Sequence, residues 1–206
     1  MIPPRPWEDL ERDIMHCTRC DLCRTRTRAV PGQGARQSDL MFVGEGPGAD
    51  EDLQGQAFVG RAGRLLTELL TSADISRESV YITNVVKCRP PGNRLPSDHE
   101  IERCLPYLRR QVSLLRPQII CTLGNTALKS LINARASISR EHGQFLTKGR
   151  FLFFPTYHPA AALRQDSLVP LMKRDFNLLA TKWRSLHGDH DQSSKETLDR
   201  ATGSPR

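Results

Sequence analysis

Two kinds of residue in this chain can do chemistry: cysteines at metal-binding spacing, and polar side chains gathered in three unusual loops. Cys17 and Cys20 form C-x-x-C, Cys23 continues the spacing, and Cys88 and Cys104 lie far downstream beside polar or charged neighbours. Four thiolates suit a tetrahedral site, either zinc or an iron–sulfur centre. Spacing does not choose between these, and Cys23 is an alternative ligand to Cys20. The opposing reading is unligated thiols, which are oxidation liabilities where exposed. Cys121 lies inside the apolar run QIICTLG and reads as core packing.

The first loop, GEGPGADED, sets Glu45 between Gly44 and Gly46 and adds Asp50, Glu51 and Asp52. It reads either as a solvated acidic turn or as a ligand loop. The flanking glycines, which let backbone approach a ligand closely, favour the second for Glu45. Asn84, in YITNVVKC, falls at a strand end, and its amide offers both an acceptor and donors. The plain alternative is an asparagine that fixes a turn. His158, in TYHPAAALR, follows the strand FLFF. Its ring can donate to growing negative charge as imidazole or imidazolium, and the sequence does not choose between the two.

These groups need a scaffold. The runs 39–43, 80–86 and 119–123 predict three strands, and 144–146 with 151–154 predict a further pair around a turn at Lys148 and Gly149. Helical spacing predicts helices over 60–70, 98–110, 125–131 and 168–186. Ser97 and Glu100 form a capping box for the second, and Pro106 predicts a kink or a boundary there. The alternation predicts a three-layer α/β/α sandwich with a mainly parallel sheet. In such sheets ligands bind beyond the carboxyl ends of the strands. The loops 44–52, 87–96 and 157–164 all follow strands. Residues 1–186 are expected to form one domain, and the polar stretch 187–206 a disordered tail.

The chain carries 30 Lys and Arg against 23 Asp and Glu, a formal net charge of +7. That balance favours a polyanionic partner, and Arg24, Arg26 and Arg28 concentrate it in one short stretch, although a solvated surface is the competing reading. No stretch approaches the roughly 20 apolar residues that span a bilayer. The start, MIPPRPWEDLERD, lacks a signal-peptide core. A cytoplasmic protein with no membrane partner is expected, and six cysteines there do not suggest a disulfide framework.

Taken in order, GEGPGADED, GQAFVGRAGRLL, YITNVVKCRPPGNR, a further cysteine and YHPAAALR resemble family 4 of the uracil-DNA glycosylases. The resemblance covers about Cys17 to Arg184. It implies an α/β/α fold around a central parallel four-stranded sheet. It also implies a structural [4Fe–4S] cluster held by Cys17, Cys20, Cys88 and Cys104, with zinc as the alternative metal. The implied activity is hydrolysis of the N-glycosidic bond of deoxyuridine in single- or double-stranded DNA, releasing uracil and leaving an abasic site; separately, a monomer is expected.

The resemblance assigns roles residue by residue. Several sister families place an Asp or Asn at the position matching Gly46 to handle water. Family 4 has glycine, as this chain does, so the role moves to Glu45 or Glu51, with Asp52 a weaker candidate. Backbone amides near Gly46 can hold the base or its phosphate. Phe58, which without the motif would read as core, matches the aromatic that stacks on uracil. Asn84 reads the base, Asn93 helps position DNA or water, and His158 donates to uracil O2. Leu163 and Arg164 lie in the loop that enters the minor groove, where Leu163 can fill the gap left by the base. Arg89 and Arg94 are natural phosphate contacts. Family members commonly have proline at Ala57 and serine at Ala160. A related branch forms a covalent bond through a histidine in a KRRIH-type insertion, which PPGNRLPSDHE lacks, so free product release is expected.

Two rivals remain close: an iron–sulfur DNA-binding module without catalysis, and a glycosylase for another deaminated base. A zinc deaminase is disfavoured, because H-x-E with P-C-x-x-C is absent. Paired carboxylates that would make a two-metal nuclease are also missing.

Overall fold

The computed structural model describes residues 6–201, with side chains described through residue 186. The expected disordered tail therefore lies beyond the described side chains. The strands are β1 (Gln33–Gly34), β2 (Leu40–Gly44), β3 (Tyr81–Asn84), β4 (Ile119–Leu123), β5 (Leu146–Lys148) and β6 (Phe151–Thr156). The helices are α1 (Pro6–Met15), α2 (Leu22–Thr25), α3 (Ala49–Gln54), α4 (Arg61–Ser72), α5 (Asp98–Leu115), α6 (Gly124–Leu131), α7 (Ile138–Glu141), α8 (Pro159–Ala162) and α9 (Leu168–Ala201).

Strand side chains alternate between faces, and here both faces are covered, so the strands read as continuous apolar runs. Leu40 and Phe42 of β2 join Ile119 and Cys121 of β4 and Phe154 of β6 on one face. There they meet Leu66, Leu69 and Leu70 of α4 and Met172, Phe176 and Leu179 of α9. Met41, Val43, Ile120 and Phe153 face the other way, against Leu10 and Ile14 of α1 and Tyr107, Leu108 and Leu115 of α5.

The sheet has six strands in the order β1-β3-β2-β4-β6-β5 and is mixed, which corrects the expected parallel four-stranded sheet. Pairing is parallel from β3 through β2 and β4 to β6, and antiparallel at both edges. The edge strands arise locally. Gly149, at φ 60°, lets the chain reverse so that β5 pairs back onto β6. Gly34, at φ 111°, lies so close to the Val80 carbonyl that no side chain fits, and this lets β1 cover the open edge of β3. Helix α5 runs unbroken through Pro106, started by the Ser97–Glu100 capping box.

From β2 the chain moves outward to β3 and then crosses to β4 on the other side. The strand order thus reverses at β2, and the crevice beyond the carboxyl ends of β2 and β4 is where such sheets place ligands. Among the described residues, no helix is long and apolar enough to cross a membrane.

Candidate active site

Glu45 leaves the end of β2 half-buried, and its Oε2 accepts a hydrogen bond from Thr126 Oγ1 at 2.5 Å. Thr126 lies in the first turn of α6, directly beyond β4, so this bond spans the crevice. Sequence reading passed over Thr126. Its only signal was a hydroxyl just after the strand-ending glycine in CTLGNT.

The neighbouring acids are held differently. Glu51 is buried, and its carboxylate accepts from the amides of Gly48 at 3.0 Å, Val59 at 2.9 Å and Gly60 at 2.8 Å. It ties the start of α3 to the segment that carries Phe58. Asp52, also buried, accepts from Thr27 N at 2.9 Å. A Cβ at Gly46 would come within 2.7 Å of Val86 Cγ2, so a side chain at this position would force Val86 to move.

Gly44 packs directly against Asn84 and Phe58. A Cβ there would lie 2.5 Å from both Asn84 Oδ1 and Phe58 Cζ. The missing side chain is therefore what lets the aromatic ring and the amide come this close to the strand end. Phe58 sits at φ 54°, a left-handed conformation that costs a bulky residue on the order of 1 kcal/mol or more. Arg77 offsets this strain by donating to Ala57 O at 3.1 Å and Phe58 O at 2.9 Å. The Phe58 ring lies 5.6 Å from that of His158, with 31° between the planes.

Asn84 closes β3 and is 1% exposed, yet its Oδ1 has no hydrogen-bond partner among the described residues. Buried acceptors are nearly always satisfied, so this oxygen is open to a donor that the described residues do not supply. The backbone beneath it is pinned by Lys87, a residue that sequence reading did not single out. Its Nζ donates to Asn84 O at 2.6 Å, Thr83 Oγ1 at 2.7 Å and Gln111 Oε1 at 2.7 Å. Burial lowers the Lys87 pKa to about 7.

His158 follows β6 and begins α8. Burial, reinforced by the positive charge of Arg164, lowers its pKa to about 4, so the ring is neutral at pH 7. Its Nδ1 accepts from the backbone N–H of Ala160 at 3.1 Å, which places the proton on Nε2 as a donor. Of the two forms the sequence left open, this environment favours neutral imidazole. The contact uses the Ala160 amide and needs no side-chain hydroxyl.

A stability effect follows from this shift. Between the folded pKa of about 4 and the ordinary value of 6.5, the unfolded chain binds the extra proton. The contribution is fully present above pH 6.5, and on the order of 3 kcal/mol is lost as pH falls toward 4. Thermal unfolding should show the midpoint dropping over that window, with a shallower drop in His158→Gln. Parallel profiles for the two proteins would contradict it.

The remaining expected site residues lie farther out. Asn93 is exposed, and its Oδ1 accepts from Arg89 Nε at 2.7 Å. Leu163 is half-buried at the end of α8, and Arg164 beside it is exposed.

The cysteines depart from expectation. Cys17, Cys20, Cys23, Cys88 and Cys104 line one cavity beside α2 and α5. Among the described residues, however, no three His, Cys, Asp or Glu form a group that could hold a metal ion. This overturns the expected [4Fe–4S] cluster, its four-cysteine ligand set and the zinc alternative. Two of the thiols accept hydrogen bonds. Cys88 Sγ accepts from Arg26 Nη1 at 3.0 Å, and Cys104 Sγ accepts from Lys87 N at 3.2 Å. Burial pushes the Cys104 thiol up to about 11, which favours its protonated form.

A family model of the uracil DNA glycosylase superfamily matches residues 31–185. A type-4 uracil-DNA glycosylase of Archaeoglobus fulgidus is 45% identical over 177 residues, covering 82% of this chain and 89% of the relative. One from Thermotoga maritima is 44% identical over 162 residues, covering 78% of this chain and 84% of the relative. With a single model spanning most of the chain, and relatives matched along most of their own length, the chain belongs to the uracil-DNA glycosylase superfamily, among its type-4 enzymes.

Proposed function

We propose that the protein hydrolyses the N1–C1′ bond of deoxyuridine in single- and double-stranded DNA, releasing uracil and leaving an abasic site. The observation that carries this reading is the buried, unpartnered Asn84 Oδ1 beside the Phe58 ring. Uracil offers an N3–H donor to that oxygen, whereas cytosine presents an acceptor at N3. The base must leave the stack to reach these residues, and Phe58 then stacks on it.

As the bond breaks, its electron pair leaves with uracil and the sugar gains oxocarbenium character. The His158 Nε2–H donates to the O2 of the departing anion without transferring its proton. Glu45 faces the sugar side, stabilises the cation and orients the water whose oxygen bonds to C1′. The water proton passes to the carboxylate and then to solvent. Glu51 serves by holding the Phe58 segment through three amides, and backbone near Gly46 lines the sugar side. Asn93, Leu163 and Arg164 contact DNA around the lesion. The protein acts as a monomer in the cytoplasm, with residues 1–186 as one domain.

The test is cleavage of labelled oligonucleotides that carry a single uracil, cytosine, thymine, hypoxanthine or xanthine, followed by alkali. Breakage confined to uracil is expected. Breakage at hypoxanthine or xanthine but not uracil would shift the reading to another deaminated base. No product from any base, with DNA still bound, would favour the non-catalytic module.

A further inference from the structure

We infer that Leu95 is a second probe of duplex DNA, an apolar wedge that enters the base stack beside the extruded nucleotide. Leu95 is 70% exposed, more than any other large hydrophobic residue among those described. A lone exposed leucine is ordinary on a protein surface. What distinguishes this one is the rigidity of its mount.

The Arg94 guanidinium grips the buried carboxylate of Glu100 through two bonds, at 2.7 and 2.8 Å. The same guanidinium donates to the Leu95 carbonyl at 2.9 Å. Glu100 also accepts from Ser97 N at 2.8 Å, which closes the far side of the loop. Pro96 is buried next to the exposed leucine and restricts the backbone at Leu95. Upstream, the turn Pro91–Asn93 is locked by Asn93 N to Pro90 O at 3.0 Å and by Arg89 Nε to Asn93 Oδ1 at 2.7 Å. A loop that only connects two elements would not need its backbone fixed on both sides of a solvent-facing leucine.

The position is also suitable. The loop begins against the site, where Val86 and Pro90 lie nearest to Gly46. Leu95 follows Pro90 by five residues, a reach of at most about 18 Å. Arg94 is paired with Glu100, whereas Arg89 donates to the neutral Asn93 amide, so Arg89 supplies the positive charge in this loop that can meet a phosphate backbone. Apolar side chains that enter the minor groove between base steps hold DNA in its distorted form. Leu163 is half-buried, so Leu95 is the more exposed of the two leucines.

This inference rests on the glycosylase reading above, and its test separates the two. Wild type, Leu95→Ala and Leu95→Met are compared on one uracil strand, alone and paired as U·A. The quantity read is the ratio of duplex to single-strand kcat/KM. That ratio should fall about tenfold in Leu95→Ala, as expected for loss of a side chain this size from the stack, and return toward wild type in Leu95→Met. An unchanged ratio in Leu95→Ala would overturn the wedge, including when both activities fall together. Binding to a duplex with 2-aminopurine next to the uracil gives an independent readout. Wild type should raise the fluorescence and Leu95→Ala should not; equal signals would also overturn the inference. Failure of wild type to cleave uracil would instead overturn the glycosylase reading, and the fluorescence comparison would still decide whether Leu95 enters the stack.

Discussion

Replacing His158 with Ala should lower the single-turnover rate of uracil release by about 10²–10³-fold, with DNA binding little changed. The ring is neutral, and its proton is fixed on Nε2 because Nδ1 accepts from Ala160 N. A donor aimed at the leaving oxygen strengthens as charge builds there, so its loss falls on kcat. The pH profile separates this mechanism from acid catalysis by imidazolium. With a pKa of about 4, the residue adds no titration to the rate between pH 5 and 8. A wild-type rate that falls as pH rises through 6 to 7, with the dependence lost in His158→Ala, would mean that a charged ring does the work.

The second large effect concerns Glu45. Glu45→Gln should reduce kcat by about 10²-fold or more while KM changes little, since the charge matters most when the sugar is cationic. Thr126 makes the assignment sharper. It holds Glu45 Oε2 from a position 81 residues away in sequence. Thr126→Val removes the hydroxyl at nearly constant shape and should cost about tenfold in kcat, in line with the loss of one hydrogen bond. Thr126→Ser should restore most of that loss. Single-turnover kinetics on a uracil oligonucleotide measure all three variants. A Glu45→Gln rate within threefold of wild type would sink the assignment and return the role to Glu51.

Parts of this site were legible because they depend on local chemistry. Glycines around Glu45, an amide at a strand end and a histidine after a strand each announced themselves by type and spacing. The sheet edges did not. A two-residue strand such as Gln33–Gly34 has no periodicity to read and exists only because β3 offers an unpaired edge. The cysteine expectation failed for a related reason. C-x-x-C records spacing along one segment, whereas a ligand set needs thiols from three segments turned toward one point. Here the thiols line one cavity, but among the described residues no three form a group that could hold a metal ion.

The surroundings of the two acidic candidates were separated only by folding. In sequence, Glu45 and Glu51 are two carboxylates in one loop. In the fold, Glu51 is surrounded by the amides of Gly48, Val59 and Gly60, while Glu45 faces the crevice toward Thr126. By itself, then, the sequence determined the family, the order of the central elements and which polar loops follow the strand ends, because periodicity and turn residues act over a few positions. Tertiary structure alone decided the tautomer of His158, the orphaned oxygen of Asn84 and the partners of each carboxylate. Burial and hydrogen-bond geometry set those properties, and both are supplied by residues distant along the chain.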